Sequence, residues 1–251
     1  MRVGLVIYGP LDKRSGGYLY DYQLVQTLRA AGDSVEVVSL PWRNYPSHLL
    51  DNWRQTVFEQ LAGLQVDVLL QDELNHPSLA WLNPRLKKKL GCPIVTIVHH
   101  LRSSEDWRPA QRLLYRWVER HYLNSVDGYI FNSHTTRQVV EQAVGNHRPA
   151  VVAQPAGDRF GVRMTADEVC ARAKSDGPLR MVFVGNIIPR KGLLTLLAAI
   201  AHLPPDTVKL TVIGRADIDR AHTRLVRHLL PSDHWASKCR GLGIWPMPVW
   251  P

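Results

Sequence analysis

Val182-Phe183-Val184-Gly185-Asn186-Ile187-Ile188-Pro189-Arg190-Lys191-Gly192 is the stretch on which the fold is decided. An apolar run of strand length ends at Gly185, and two adjacent cations follow where the next helix begins. Arginine offers a forked set of hydrogen bonds and lysine a compact charge, a pair suited to a diphosphate. The plainer alternative is a solvated basic turn. It is disfavoured because open parallel sheets gather ligands at the carboxyl ends of their strands.

Outward from that stretch, the strand-helix alternation continues in both directions. Residues 179–184 and 208–213 read as strands, and 192–202 and 219–230 as helices, which makes about two βα units. Before them, residues 161–177 are polar and mixed and read as a linker with room for a short helix. Residues 1–160 repeat the pattern more fully. Strands are expected at 3–8, 35–40, 66–70, 94–99, 128–131 and 150–153, and helices at 18–31, 49–64, 78–90, 109–123 and 133–144. Such alternation predicts an α/β fold with parallel sheets and helices on both faces. The domains expected are a complete Rossmann-like unit over 1–160, the linker, a partial second unit over 178–232, and an irregular tail over 233–251. The tail holds Trp235, Trp245 and Trp250 among Pro246, Pro248 and Pro251 with no surviving period, as a frameshift or truncation would produce.

Composition narrows the classes. The chain has 251 residues, 45% hydrophobic and 21% charged, as in ordinary globular domains. The opening apolar run stops at Gly9-Pro10, too early for a signal-peptide core, and no stretch reaches the roughly 18 apolar residues of a spanning helix. Cys92, Cys170 and Cys239 are isolated, without metal-binding spacing, and read as reduced thiols of a cytoplasmic protein. A net charge of +9 favours anionic partners, but no nucleic-acid-binding motif accompanies it, so no nucleic-acid partner is expected.

Several residues could carry chemistry. Gly16 and Gly17 open a helix after the loop 9–15, where bare backbone N–H groups suit a phosphate. The loop lacks the GxxxxGK[ST] pattern, and a plain strand-to-helix turn is the alternative. His99 closes the strand 94–99 and His100 follows it. Alternation sends them to opposite faces, so one at most points into a cleft. Ser133 reads first as a helix N-cap. No Ser-His-Asp arrangement or metal-ligand spacing is present, so neither a hydrolase nor a metalloenzyme is supported. In the helix 109–123, Leu113, Leu114, Trp117 and Val118 form an apolar stripe beside a row of Arg108, Arg112, Arg116 and Arg120. That row could face an anionic membrane surface, or simply be the solvated edge of a core helix.

In their order, these pieces resemble family 4 glycosyltransferases of the GT-B fold. They are Ser15-Gly16-Gly17, Val98-His99, Val126 to Ser133, Gln154-Pro155-Ala156-Gly157-Asp158, Phe183-Val184-Gly185 with Arg190-Lys191-Gly192, and Leu210 to Gly214. The resemblance spans residues 1 to about 230. It implies sugar transfer from a nucleoside-diphosphate sugar to a glycan, lipid or small-molecule acceptor, usually with retention and with no metal or other cofactor. It places the acceptor mostly on the first domain and the donor mostly on the second. It implies that Gly16 and Gly17 approach the reacting phosphate, that His99 contacts the transferred sugar, and that Arg190 and Lys191 stabilise the departing diphosphate. Tyr18, His100 and Ser133 fall on the acceptor side, and Asn186 on the donor side where the family often has arginine. Gln154 stands where it often has asparagine. The family's paired glutamates of the donor domain have no counterpart. The alternative expectation is therefore an inactive truncated remnant that binds an acceptor, a partner or a membrane surface. A cytoplasmic location, with contact at the inner membrane face, fits either.

Overall fold

The structure is a computed structural model and describes residues 1–13, 15–145, 148–155, 157, 164–174 and 176–228. The tail 233–251 with Cys239, and Ala156 and Asp158 of the junction motif, lie outside the described residues. The chain divides into two compact units, Met1–Phe160 and Gly161–Pro251.

The first unit is built on six strands: β1 (Arg2–Tyr8), β2 (Ser34–Leu40), β3 (Val68–Asp72), β4 (Ile94–Val98), β5 (Gly128–Phe131) and β6 (Ala150–Val152). They pair in the order β2-β1-β3-β4-β5-β6, all parallel. The winding reverses between β1 and β3, and such a reversal opens a crevice at the strands' carboxyl ends. Alternation along β1 divides the core. Val3, Leu5 and Ile7 face one side with Tyr18 and Val25 of α1 (Gly16–Ala30). Val6 and Tyr8 face the other, under α2 (Tyr45–Asp51), α3 (Gln55–Ala62), α4 (His76–Leu79), α5 (Asn83–Leu90), α6 (Pro109–Ser125) and α7 (His134–Val144).

Two expected helices are each broken in two. Instead of one helix over 49–64, α2 and α3 are separated by a turn at Asn52. The Asn52 amide donates to the Leu49 and Pro77 carbonyls at 2.8 and 2.7 Å, and its oxygen accepts from the Trp81 and Leu82 N–H groups. A buried side chain has taken over the backbone's hydrogen bonds at both breaks, because the second falls at Trp81–Leu82 between α4 and α5. Pro84 at the start of α5 supplies no N–H to continue the preceding turn. The strand expected over 66–70 runs instead to Asp72. Polar Gln71 stays in the ladder opposite Thr96 because its side chain is satisfied by Asn83 at 2.9 Å. A left-handed Gly91, φ +66°, closes α5 behind Lys87, Lys88 and Lys89, whose charges suit the helix C-terminus.

In the second unit, β7 (Leu179–Val184) and β8 (Val208–Ile213) form a parallel pair with α9 (Leu193–Ala201) and α10 (Arg220–His228). Met181, Phe183, Leu193, Leu197, Leu210, Val212 and Val226 build its core, whereas Val182 and Val184 on the other face of β7 are exposed. A further helix, α8 (Ala166–Ala173), lies within the expected linker and opens on a Thr165–Glu168 capping box. Among the described residues no helix is long and apolar enough to cross a membrane.

Candidate active site

In the first unit the carboxyl ends of β1, β3, β4 and β5 bring the polar residues together. His99 follows β4 directly, and the first turn of α1 packs against it. Gly17, Tyr20 and Asp21, at i, i+3 and i+4, share one helix face. The Tyr20 and His99 rings meet edge to face, their centroids 5.0 Å apart. His99 Nε2 lies 3.0 Å from Asp21 Oδ1, and Asp21 is completely buried. A side chain at Gly17 would start 3.1 Å from His99 Cδ2, whereas nothing lies within 4 Å of the same position at Gly16. The two glycines therefore differ: Gly17 makes room for the imidazole, and Gly16 is open.

His99 is held from below as well. Its carbonyl accepts from Asn132 Nδ2 at 2.9 Å, and Asn132 Oδ1 accepts from Thr136 on α7 at 2.8 Å. Burial alone would lower the His99 pKa. The hydrogen bond to Asp21 and the charges of Asp72, Asp21 and Glu73 outweigh it, so the pKa is raised above the ordinary histidine value. His100 points the other way, half exposed, with Nε2 3.4 Å from Glu105. Ser133 caps α7, its hydroxyl accepting from Thr136 N–H at 3.1 Å. Tyr18 is buried in the core on the α1 side, and its hydroxyl donates to the Tyr8 carbonyl.

A second polar group lies under the same edge, in positions that sequence reasoning passed over. Glu73, His76 and Glu119 are all buried, with polar atoms within 4.8 Å of one another. Burial pushes Glu73 up to about 8, against the opposing charges of His99 and Arg102. Burial and the Glu73 charge lift Glu119 to about 6, and burial brings His76 down to about 4. His76 has both nitrogens engaged, Nδ1 with the Glu73 carbonyl at 3.0 Å and Nε2 with the Tyr45 hydroxyl at 3.1 Å. In the neutral ring Nδ1–H donates to the Glu73 carbonyl, and the Nε2 lone pair accepts from the Tyr45 hydroxyl. Arg102 lies over the rings of Tyr45, Trp107 and Tyr115.

Helix α6 turns a different face inward from the one its apolar stripe indicated. Tyr115, Val118, Glu119, Tyr122 and Leu123 are buried, while Leu113 and Trp117 are 67% and 59% exposed. Only Val118 of the expected stripe enters the core, because the sheet-facing positions are 115, 118, 119 and 122. Trp117 belongs to a surface cluster with Trp81 and Trp53, ring centroids 5.3 and 6.0 Å apart along the series. Arg108, Arg112, Arg116 and Arg120 are exposed beside it.

In the second unit, the loop after β7 carries Gly185 and Asn186 into a 3₁₀ turn, Pro189–Lys191, which leads through left-handed Gly192 into α9. Arg190 and Lys191 are exposed in that turn, and the Lys191 stem runs beside Gly185. The loops after β7 and β8 lie back to back: Ile187 N–H donates to the Arg215 carbonyl at 2.9 Å, and a side chain at Gly214 would collide with the Gly185 carbonyl.

No curated protein matches the sequence. Solved structures do share the fold. Sucrose-phosphate synthase from Thermosynechococcus elongatus aligns with a TM-score of 0.70 at 18% identity, over 95% of this chain and 69% of that one. Anabaena HepE in complex with UDP and glucose aligns at 0.65 and 14%, over 96% and 69%. The trehalose-6-phosphate structure from E. coli bound with UDP-2-fluoro glucose aligns at 0.56 and 13%, over 97% and 72%. The architecture is thus GT-B-like, a fuller Rossmann-like unit followed by a smaller one. The profile of Glycosyltransferase Family 4 matches residues 15–156, which run from the turn before α1 past the end of β6. With more than half of its length matched and the matched part folded as a parallel sheet around His99, the chain belongs to glycosyltransferase family 4.

Proposed function

We propose that this chain transfers a sugar from a nucleoside-diphosphate sugar to a hydroxyl of a glycan, lipid-linked or small-molecule acceptor, with retention at the anomeric carbon and without a metal. In that reaction the bond from the anomeric carbon to the diphosphate oxygen breaks, and a bond to the acceptor oxygen forms on the same face. Negative charge grows on the departing diphosphate, and donors placed where charge develops lower the barrier most. Arg190 and Lys191 supply that role in this reading, with Asn186 beside them. Gly16 leaves backbone room near the phosphate, and His99 hydrogen-bonds the transferred sugar. Tyr18, His100 and Ser133 belong to the acceptor side, Tyr18 and Ser133 by shaping the loops around it.

The observation that carries the reading is His99, anchored through one nitrogen at the carboxyl end of a central strand in a family 4 glycosyltransferase. The test is the thermal stability of the full chain with and without millimolar UDP, GDP or ADP. A ligand that binds only the folded state raises stability. UDP is the first candidate, since the solved relatives include complexes with UDP and UDP-glucose. A shift with one nucleotide supports the reading and names the base. A cooperative transition unmoved by all three overturns donor binding by this chain.

The exposed Trp53, Trp117 and Leu113, with the half-buried Trp81 between the two indoles, lie beside the arginine row and favour a second, compatible reading. In it the first unit rests on an anionic membrane surface, where a lipid-linked acceptor would be found.

A further inference from the structure

The first turn of α1 treats His99 as more than a neighbour. Three residues of one helix face touch it: Gly17 by leaving space, Tyr20 by its ring edge, and Asp21 by a hydrogen bond of 3.0 Å to Nε2. Asp21 is fully buried and its second oxygen, Oδ2, has no hydrogen bond among the described residues. A carboxyl group in that state is tolerated when its one partner carries a proton for it to accept, and better still a charge. Asp72 is the next group along. Its Oδ1 accepts from Leu74 N–H at 3.0 Å, its Oδ2 is likewise buried without a partner, and its polar atoms lie within 4.8 Å of those of Asp21 and His99. His99 Nδ1, by contrast, makes no hydrogen bond to any described residue, although the side chain is only 13% exposed. The imidazole is therefore fixed at one nitrogen and open at the other.

We propose that Asp21 is a positioning residue, which keeps the proton on His99 Nε2 and so determines that Nδ1 is the nitrogen presented to ligand. This rests on the reading of His99 as the residue that meets the transferred sugar. The assignment has a direct chemical consequence. While His99 is charged, Nδ1 carries a proton and donates to a sugar or phosphate oxygen. Once His99 is neutral, the Nε2–H tautomer leaves Nδ1 an acceptor, able to receive a bond from a sugar hydroxyl but not to assist an anion. The groups that face the ring and set this balance are Tyr20 and Asp21 from α1, and Asp72 and Glu73 from the end of β3. His100 is turned away toward Glu105.

The test is histidine-selective ¹⁵N NMR of the full chain, wild type and Asp21→Asn, across a pH titration. In the wild type, His99 is expected to show a protonated Nε2 coupled to a slowly exchanging proton, and a titration midpoint above that of an unperturbed histidine. In Asp21→Asn the midpoint is expected to fall by about one unit or more, as loss of an adjacent opposite charge produces. If that variant does not fold, Asp21→Ser replaces it, and there too the midpoint falls. A wild-type His99 with its proton on Nδ1, or a midpoint that neither variant moves, overturns the proposal. A nucleotide stabilisation measured alongside separates the two ideas. Absent stabilisation with the expected titration removes the sugar-transfer reading and leaves Asp21 in place, whereas stabilisation with an unmoved titration does the reverse.

Discussion

Alanine at Gly17 and alanine at Gly16 are nearly the same change in sequence and opposite changes in structure. Both remove a glycine from the first turn of α1, and relieving a glycine in a helix is worth about 0.5–1 kcal/mol. At Gly16 the new methyl group meets nothing within 4 Å. That variant is expected to gain the whole amount, a rise of roughly 2–4 °C in melting temperature for each kcal/mol in a unit of this size. At Gly17 the methyl carbon would lie 3.1 Å from His99 Cδ2, 3.5 Å from Cγ and 3.6 Å from Nε2. Carbon atoms rest at about 3.5–4.0 Å, so the ring edge has to retreat by about 0.4 Å. Nε2 is bonded to Cδ2 and moves with it, so the 3.0 Å bond to Asp21 is stretched or bent. Displacing a packed side chain by that much costs about as much as the helix gains, on the order of 1 kcal/mol. Gly17→Ala is therefore expected to melt near the wild-type temperature while the His99 titration midpoint moves toward the ordinary histidine value. Differential scanning calorimetry and histidine NMR read the two quantities. Gly17→Ala with an unperturbed His99 resonance and midpoint, or Gly16→Ala disturbing His99 as much, would refute the division of labour between the two glycines.

Other perturbations probe the framework. Asn52→Ala leaves the Pro77 carbonyl and the Trp81 N–H without their partner and takes one of two partners from the Leu49 carbonyl and the Leu82 N–H, and is expected to cost about 2–4 kcal/mol in urea unfolding. Asn52→Asp, which keeps the acceptor and loses the donors, is expected to destabilise as well, and a neutral result for both would show that the breaks do not depend on Asn52. Glu73, held up at about 8, keeps in the folded state a proton that the unfolded chain releases near 4.5, so its contribution to stability falls as pH rises between those values. His76, brought down to about 4, acts in the opposite sense between 6.5 and 4, so the range from pH 6.5 to 8 isolates Glu73 from it. There the wild type is expected to lose roughly 1 kcal/mol per pH unit more than Glu73→Gln, and equal slopes would contradict the raised value. For the membrane reading, binding to phosphatidylglycerol vesicles is expected to weaken about 30-fold in the Arg112→Ala, Arg116→Ala double variant, at about 1 kcal/mol per arginine. It is also expected to weaken in Trp117→Ser, and no wild-type binding at low salt would end that reading.

What the sequence made legible, and what it hid, follows from the range of the interactions. The strand-length runs at 3–8, 35–40 and 128–131, and the glycines Gly32 and Gly91 that follow two helices, are local, so the parallel sheet and most of its helices could be read directly. Ser133 as a cap and the opposite facing of His99 and His100 are local too. Asp21 could not be found that way. Within its own helix it is an acidic residue with no sequence-local partner, and the histidine that explains it is 78 positions away. Gln71 and Asp72 were missed as strand residues for the same reason, since polarity argues against a buried strand until Asn83 and Leu74 supply their partners. The stripe on α6 misled because Leu113 and Trp117 are as apolar as core residues, and hydrophobicity alone does not tell a face turned toward the sheet from one turned toward a surface.

The fit of α1 around His99 also bears on how the site can change over generations or at a designer's bench. Gly17, Tyr20 and Asp21 meet one imidazole from a single helix face, so their tolerances are not independent. A residue larger than alanine at 17 fits only alongside a smaller one at 99, and a different group at 99 removes the reason for an acid at 21. The turn and the strand end are inherited as one piece: related chains are expected to vary these four positions in concert, and a graft of the Gly-Gly turn onto another scaffold would need to carry the end of β4 with it.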